Sequence, residues 1–151
     1  MEWQKNEFTI TTDRSRMDID YIHAFLSERS YWAKGIPRHI VAASVEGSEC
    51  FGVFQGDRQV GFARVITDKA TTGYLADVFI DEDFRGKGLS KWLMATIMGH
   101  PGLQGFRTWM LGTHDAHGLY AQFGFRQLDK PENIMRITDL DIYVKAREKQ
   151  S

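Results

Sequence analysis

The stretch from Tyr74 to Leu93 constrains this chain more than any other. It holds an apolar run (YLADVFID), an acidic and then basic turn with two glycines (EDFRGKG), and an amphipathic segment (LSKWL). Alternation predicts a strand, the glycines a turn, and the spacing of apolar residues a helix. A turn in which Arg85, Gly86, Lys87 and Gly88 lead directly into a helix is suited to holding phosphate. The first N–H groups of a helix lack intrahelical partners, and the helix dipole adds positive potential there. Two nucleotide-binding patterns fail on spacing. A Walker loop needs Gly-Lys-Ser/Thr, but Gly88 is followed by Leu89. The dinucleotide fingerprint needs a third glycine where Lys91 stands, and an early βαβ unit.

The rest of the chain predicts a single mixed domain. Phe8–Thr12 alternates as a strand, and the apolar stripe Ile19, Ile22, Phe25–Leu26 predicts a helix ending near Glu28–Arg29. Gly35 and Pro37 interrupt regularity in SYWAKGIP, and Pro37 suits the first turn of a second helix carrying Ile40, Val41 and Val45 on one face. Cys50–Gln55 and Gln59–Thr67 form a hairpin around Gly56-Asp57-Arg58, and Tyr74–Ile80 adds a third meandering strand. After the helix Leu89–Met98, Gly99-His100-Pro101-Gly102 is a stop. Phe106–Gly112 reads as a strand, and Ala116–Phe123 as a short helix closed by Gly124. Residues 134–137 and 142–144 are expected as last strands, before a polar tail, KAREKQS, expected to fray.

With 151 residues, 42% of them hydrophobic, the chain can bury one sizeable core, and residues 1–151 are expected to form one domain. A net charge of −1 provides no global field for nucleic acid or an acidic membrane. The single cysteine, Cys50, precludes an intramolecular disulfide and a multi-thiolate metal site. The segment MEWQKNEFTI lacks a secretory pattern and no apolar run approaches membrane-spanning length, so a cytoplasmic protein is expected. His114 and His117 form His-x-x-His but have no third ligand nearby; lining or capping the short helix is the preferred reading, with no metal. His23, His39 and His100 read as surface residues.

The spacing Arg85-x-x-Gly88-x-Ser90, after an apolar strand and at a helix start, resembles the acyl-CoA pyrophosphate motif of the GCN5-related N-acetyltransferase (GNAT) family. Ser90 stands where the family has Gly or Ala. LYAQFGF at Leu119–Phe125 is similar to a later motif of the same family, a helix that carries a tyrosine and ends in Gly-Phe. The resemblance runs roughly from Gly52 to Leu128 and is most specific over Leu75–Phe125. It implies an α/β (mixed α+β) fold, with a mostly antiparallel central sheet of six to seven strands flanked by about four helices.

The resemblance also implies acetyl-CoA as co-substrate and transfer to a primary amine within a ternary complex. The amides around Gly86, Lys87, Gly88, Leu89, Ser90 and Lys91 would hold the pyrophosphate, with charge from Arg85 and Lys87. The backbone of Val78, Phe79 and Ile80 would pair with the pantetheine arm, and an N–H near Phe79 would face the thioester oxygen. Thr113 stands where many members carry a coenzyme-side Asn. Tyr120 matches the family's general acid, and a tyrosine of ordinary pKa stays protonated at neutral pH; packed against Ala116 and Phe123, it would serve only structure. Asp77 is the candidate base, since a carboxylate on an otherwise apolar strand needs a partner, whether a substrate amine or a neighbouring Arg or His. Tyr31 and Trp32 are candidates to enclose the acceptor, or else to plug the core under their loop.

No acidic stripe favours a basic peptide, so a small-molecule amine is the expected acceptor, with no nucleic acid or membrane partner. A protein or peptide N-acetyltransferase and a non-catalytic acyl-CoA-binding module are the alternatives. Dimers are common in the family, which raises a homodimer as an expectation.

Overall fold

A computed structural model describes residues 1–145, so most of the polar tail lies outside the described residues. Six strands form one sheet in sequence order: β1 (Glu2–Lys5), β2 (Phe8–Thr11), β3 (Glu49–Gln55), β4 (Arg58–Thr67), β5 (Thr72–Ile80) and β6 (Thr108–Leu111). Every neighbouring pair is antiparallel except β5–β6, which is parallel. Among the described residues α1 (Ile19–Arg29), α2 (Arg38–Glu46), α3 (Leu89–Met98) and α4 (His117–Ala121) flank the sheet. The mixed, mostly antiparallel sheet with flanking helices is the architecture expected.

Each helix begins where local chemistry favours it. The Asp18 carboxylate accepts from the Tyr21 N–H and caps α1, whose buried stripe is Ile22, Phe25 and Leu26. Pro37 precedes α2, which buries Val41 and Val45 but leaves Ile40 turned outward. Gly88, at φ 76°, starts α3 without any side-chain cap. The tight β3–β4 turn places Gly56 at φ 60°, in the left-handed region that suits glycine.

The sheet separates two apolar layers. On one face α1 and α2 pack through Phe25, Val41 and Val45 onto Cys50, Phe62 and Phe79. On the other, Leu89, Leu93, Met94 and Ile97 of α3 cover Phe51, Val53 and Leu75, and Tyr120 of α4 joins them. Phe25 and Phe79 stack with centroids 3.8 Å apart and planes inclined by 6°, tying α1 to β5. His100 is not a free surface residue; it meets Phe51 edge-on with centroids 5.6 Å apart.

Two expectations fail. β1 adds a strand where none was foreseen. Three of its four side chains are exposed and only Trp3 packs on the core, so pairing with β2 does most to hold it. At the other end no strand forms over 134–137, and residues 142–145 are helical. Among the described residues no ladder takes up the apolar side chains there, and an apolar run without a ladder does not make a strand.

Because Phe25 is the stacked partner that fixes α1 against β5, Phe25→Ala should lower unfolding free energy by about 3–5 kcal/mol. Urea denaturation followed by tryptophan fluorescence measures this; a loss well under 1 kcal/mol would show that the layer does not depend on the pair.

Candidate active site

The site forms where β5 and β6 part. They pair only over Thr72–Leu75 and Thr108–Leu111, after which β5 runs on to Ile80 with no strand on that side. A bulge accompanies the parting. Register between β4 and β5 shifts between Phe62 and Arg64, and Asp77 adopts φ 53°. Bulges bend a strand and increase its twist. Leu75 and Phe79, an even number of residues apart, accordingly pack on opposite faces of the sheet. Simple alternation therefore misassigns the faces along this strand.

A cavity of ≈ 470 Å³ opens in the split. Leu75–Val78 of β5 form one wall, and Leu111–Ala116 after β6 form another. Tyr31 and Trp32 from the loop after α1 cover it, and Tyr120 of α4 and Tyr143 complete it. Tyr31 and Trp32 are both exposed and make an edge-on pair, so they are not core plugs. Two hydrogen bonds hold them down. The Tyr31 hydroxyl accepts from the His114 N–H at 2.8 Å, and the Trp32 indole N–H donates to Asp77 Oδ1 at 2.7 Å.

Asp77 has its partner within the chain. Its Oδ2 accepts from Arg64 Nε at 2.6 Å, across a pair largely withdrawn from solvent. Arg64 Nη1 also donates to the Ser48 hydroxyl. Arg64 was not singled out in the sequence, although a signal existed: it is the one charge inside the apolar run of β4, and Asp77 is its counterpart in β5.

Tyr120 is 9% exposed. Its hydroxyl makes no hydrogen bond to another described residue and is not sealed off, so it addresses the cavity. Burial, with Tyr31 and Asp115 nearby, pushes its pKa up to about 12. The phenol therefore keeps its proton throughout the neutral range.

The glycine turn forms a second, smaller cavity of ≈ 200 Å³, lined by Ile80, Phe84, Arg85, Gly86, Gly88, Leu89, Ser90, Lys91 and Leu119. Gly86 and Gly88 lie at φ 79° and 76°, and a Cβ built on either would meet nothing within 4 Å. Glycine is needed there for conformation, and the space beside the turn stays open. Since α3 bonding begins with Trp92 N–H to Gly88 O and no side chain caps the helix, the N–H groups of Leu89, Ser90 and Lys91 lack helical partners. Arg85 Nε donates to the Ile80 carbonyl at 3.3 Å. Asp81, buried just after β5, steadies the turn by accepting from Tyr21 and from the Asp83 N–H. Burial alone would raise its pKa, but these bonds and Arg29 hold it below the usual carboxylate value.

The expected coenzyme residues are not all in one place. Lys87 lines a separate depression with Lys5–Phe8 rather than the turn cavity. Val78 lines the larger cavity, while the Phe79 and Ile80 side chains are buried on opposite faces. The Thr113 hydroxyl accepts from the Ala116 N–H at 3.1 Å and so caps the approach to α4. Leu119 and Tyr120 are adjacent on α4 and face the two cavities, which links them. Among the described residues no group of three His, Cys, Asp or Glu could hold a metal ion, and no helix is long and apolar enough to cross a membrane.

A split sheet, a glycine turn with open amides and a buried phenol facing the cavity make up the candidate site. The model of the acetyltransferase (GNAT) domain matches residues 46–127. A Gibberella zeae protein provisionally named an acetyltransferase is 29% identical over 142 residues, spanning 80% of this chain and 79% of that one. A crystal structure from Xanthomonas campestris, provisionally described as an acetyltransferase of the GNAT family, is 47% identical with a TM-score of 0.88. That match covers 90% of this chain and 96% of the other. A GNAT-family acetyltransferase from Elizabethkingia anophelis, solved with acetyl-CoA bound, shares the fold at TM-score 0.61 and 16% identity over 89% of this chain and 90% of that one. The chain belongs to the GNAT acetyltransferase family.

Because Arg64 neutralises a carboxylate held in the sheet, Arg64→Met should destabilise the fold by about 3–5 kcal/mol. Adding Asp77→Asn should recover part of that loss. A double-mutant cycle in urea measures the coupling, and strictly additive losses would show that the pair is not coupled.

Proposed function

We propose that the protein is an acetyl-CoA-dependent N-acetyltransferase that acts on a primary amine of a small molecule by direct transfer in a ternary complex. One observation carries this reading: Tyr120, protonated and buried, faces the cavity in the split, while the preceding residue lines the phosphate-suited turn. A donor anchored at the turn and running along the free edge of β5 would bring its thioester to the phenol.

The turn suits an anionic diphosphate. Three unpartnered amides at a helix start, two glycines whose space is open and the Arg85 side chain in the same lining form a cradle of the right charge. The unpaired edge of β5 around Val78, Phe79 and Ile80 offers backbone groups to an extended amide-bearing arm. Acetyl transfer forms an N–C bond and breaks a C–S bond, so the amine must lose a proton and the sulfur must gain one. Tyr120 is assigned the second role. Both Asp77 oxygens already accept hydrogen bonds, from Trp32 and from Arg64. Asp77 is therefore assigned to drawing in and orienting the ammonium rather than to taking its proton outright. Tyr31 and Trp32 would close over the acceptor, where a cation is favoured near aromatic faces. A cavity of ≈ 470 Å³ matches a small molecule.

Tyr120→Phe should lower kcat by about 10²-fold or more while leaving acetyl-CoA affinity little changed. Thiol release over a panel of amines, amino acids, polyamines and peptides supplies the assay, and unchanged kcat would remove Tyr120 from the mechanism. In the wild type, kcat/KM should rise with pH as the acceptor ammonium, near pKa 10.4, loses its proton. No alkaline fall should come from Tyr120 below its own value of about 12. Gly88→Glu should abolish binding of coenzyme A in calorimetry; normal affinity would sink the assignment of the turn.

A further inference from the structure

Asp77 is the charged group of the cavity that an incoming ammonium would seek, and within the chain it is already occupied. Its side chain keeps only 9% of its surface in solvent, and each oxygen accepts one hydrogen bond. Oδ2 takes the Arg64 Nε–H at 2.6 Å, and Oδ1 takes the Trp32 indole N–H at 2.7 Å. With so little of the carboxylate open, a third donor reaches it most directly by displacing one of these two.

The two bonds are not equal. Arg64 belongs to the neighbouring strand β4, carries a charge, and is tied a second time through Nη1 to the Ser48 hydroxyl at 3.2 Å. Parting it from Asp77 would leave two opposite charges unpaired inside the sheet, which is costly. Trp32 is neutral, 42% exposed, and stands on the loop after α1. Its release breaks one hydrogen bond and returns an indole to water. The loop need not follow, because the Tyr31 hydroxyl stays tied to the opposite wall by the His114 N–H at 2.8 Å. The aromatic pair thus straps the loop across the split, and the end held by Asp77 is the one built to yield.

We infer that Trp32 is a gate that makes this site select a cationic acceptor: its indole N–H holds Asp77 Oδ1 until an ammonium displaces it. The inference rests on the reading of the cavity as the acceptor site. An ammonium brings a full charge and three donors, and its bond to a carboxylate is stronger than that of a neutral indole. A hydroxyl or an amide offers no more than the indole already supplies, so it does not open the gate. The displaced ring stays beside the cavity with Tyr31, Tyr74 and Tyr143, whose faces favour a cation. Since the closed gate must open before the acceptor is bound, apparent affinity is reduced by the fraction of molecules that are open. Trp32 therefore governs which acceptors enter more than how fast the new bond is made.

The indole N–H of Trp32 reports the gate directly. The four tryptophans give four indole signals in a proton–nitrogen correlation spectrum, and the one missing from Trp32→Phe belongs to Trp32. Titration of the wild type with phenethylammonium should shift that signal and speed its exchange with water. Phenethyl alcohol at the same concentration should leave it in place. Trp32→Phe keeps an aromatic ring on an exposed position and loses only the N–H donor. With an amine that the thiol-release assay accepts, it should lower the acceptor KM about three- to tenfold and act on KM more than on kcat. A Trp32 signal unmoved by the ammonium, or moved equally by the alcohol, would overturn the gate. So would a Trp32→Phe variant whose acceptor KM is unchanged or higher. A protein whose signal moves with the ammonium alone but which releases no thiol with any amine would keep the gate and overturn the acetyltransfer reading.

Discussion

A parallel pairing that lasts only four residues on each strand governs the rest of this molecule. Had β5 and β6 stayed paired, the sheet would be closed there and Ala76–Ile80 would have its backbone consumed by a ladder. Instead the bulge at Asp77 turns β5 away, and the free half of the strand ends at the glycine turn that starts α3. The two apolar layers hold this departure in place. Phe79 is clamped by Phe25 on one face, while Ile80 and Leu75 are clamped under α3 on the other. A strand that changes faces part-way can be buried on both sides only if a layer waits on each. The helices on the two faces meet that requirement.

The polar network beside the bulge has a different role. A carboxylate and a guanidinium withdrawn from water contribute little net stability, because their attraction is offset by lost hydration. What the Arg64–Asp77–Trp32 chain of contacts does is specify position. The loop after α1 has small anchors, Ala33 and Ile36, and its two large aromatics are both exposed rather than packed in the core. Without the hydrogen bonds from Trp32 to Asp77 and from His114 to Tyr31, little in the packing would choose one placement of that loop over another. The left-handed backbone at Asp77 belongs to the same device, since Asp is among the residues that tolerate it.

Where sequence legibility ended has physical causes. Strand–turn–helix spacing around Gly86 and Gly88 was readable because left-handed glycines at a helix start leave a local signature. The short helix that carries Tyr120 was readable because the Gly-Phe after it closes the helix, with Gly124 at φ 95°. The bulge was not, since an extra residue in one strand shifts faces without changing residue types. β1 escaped because an edge strand held by backbone pairing needs no apolar alternation. The terminal segment failed in the reverse way. Its apolar content is real, but a strand also needs a paired neighbour, and among the described residues this segment joins no ladder.

Two buried ionisable groups show how position turns the same physics to different ends. Burial raises the pKa of Cys50 to about 11 and that of Tyr120 to about 12. In both the neutral form is favoured by folding. The stability each contributes is complete below its unfolded pKa, near 8.5 and 10, and is lost as pH rises through the folded values. Cys50 spends this effect inside the layer under α2, where its thiol donates to the Val45 carbonyl and stays an inert hydrophobe. A thiol held neutral in that layer is a poor nucleophile, which argues against a covalent acyl relay through it. Tyr120 has the same preference for its proton but faces a cavity, and a group that keeps its proton while touching a reaction space is suited to giving that proton to a leaving anion. The difference lies in which side of the sheet each faces, and the departure of β5 from β6 is what gives Tyr120 a cavity to face.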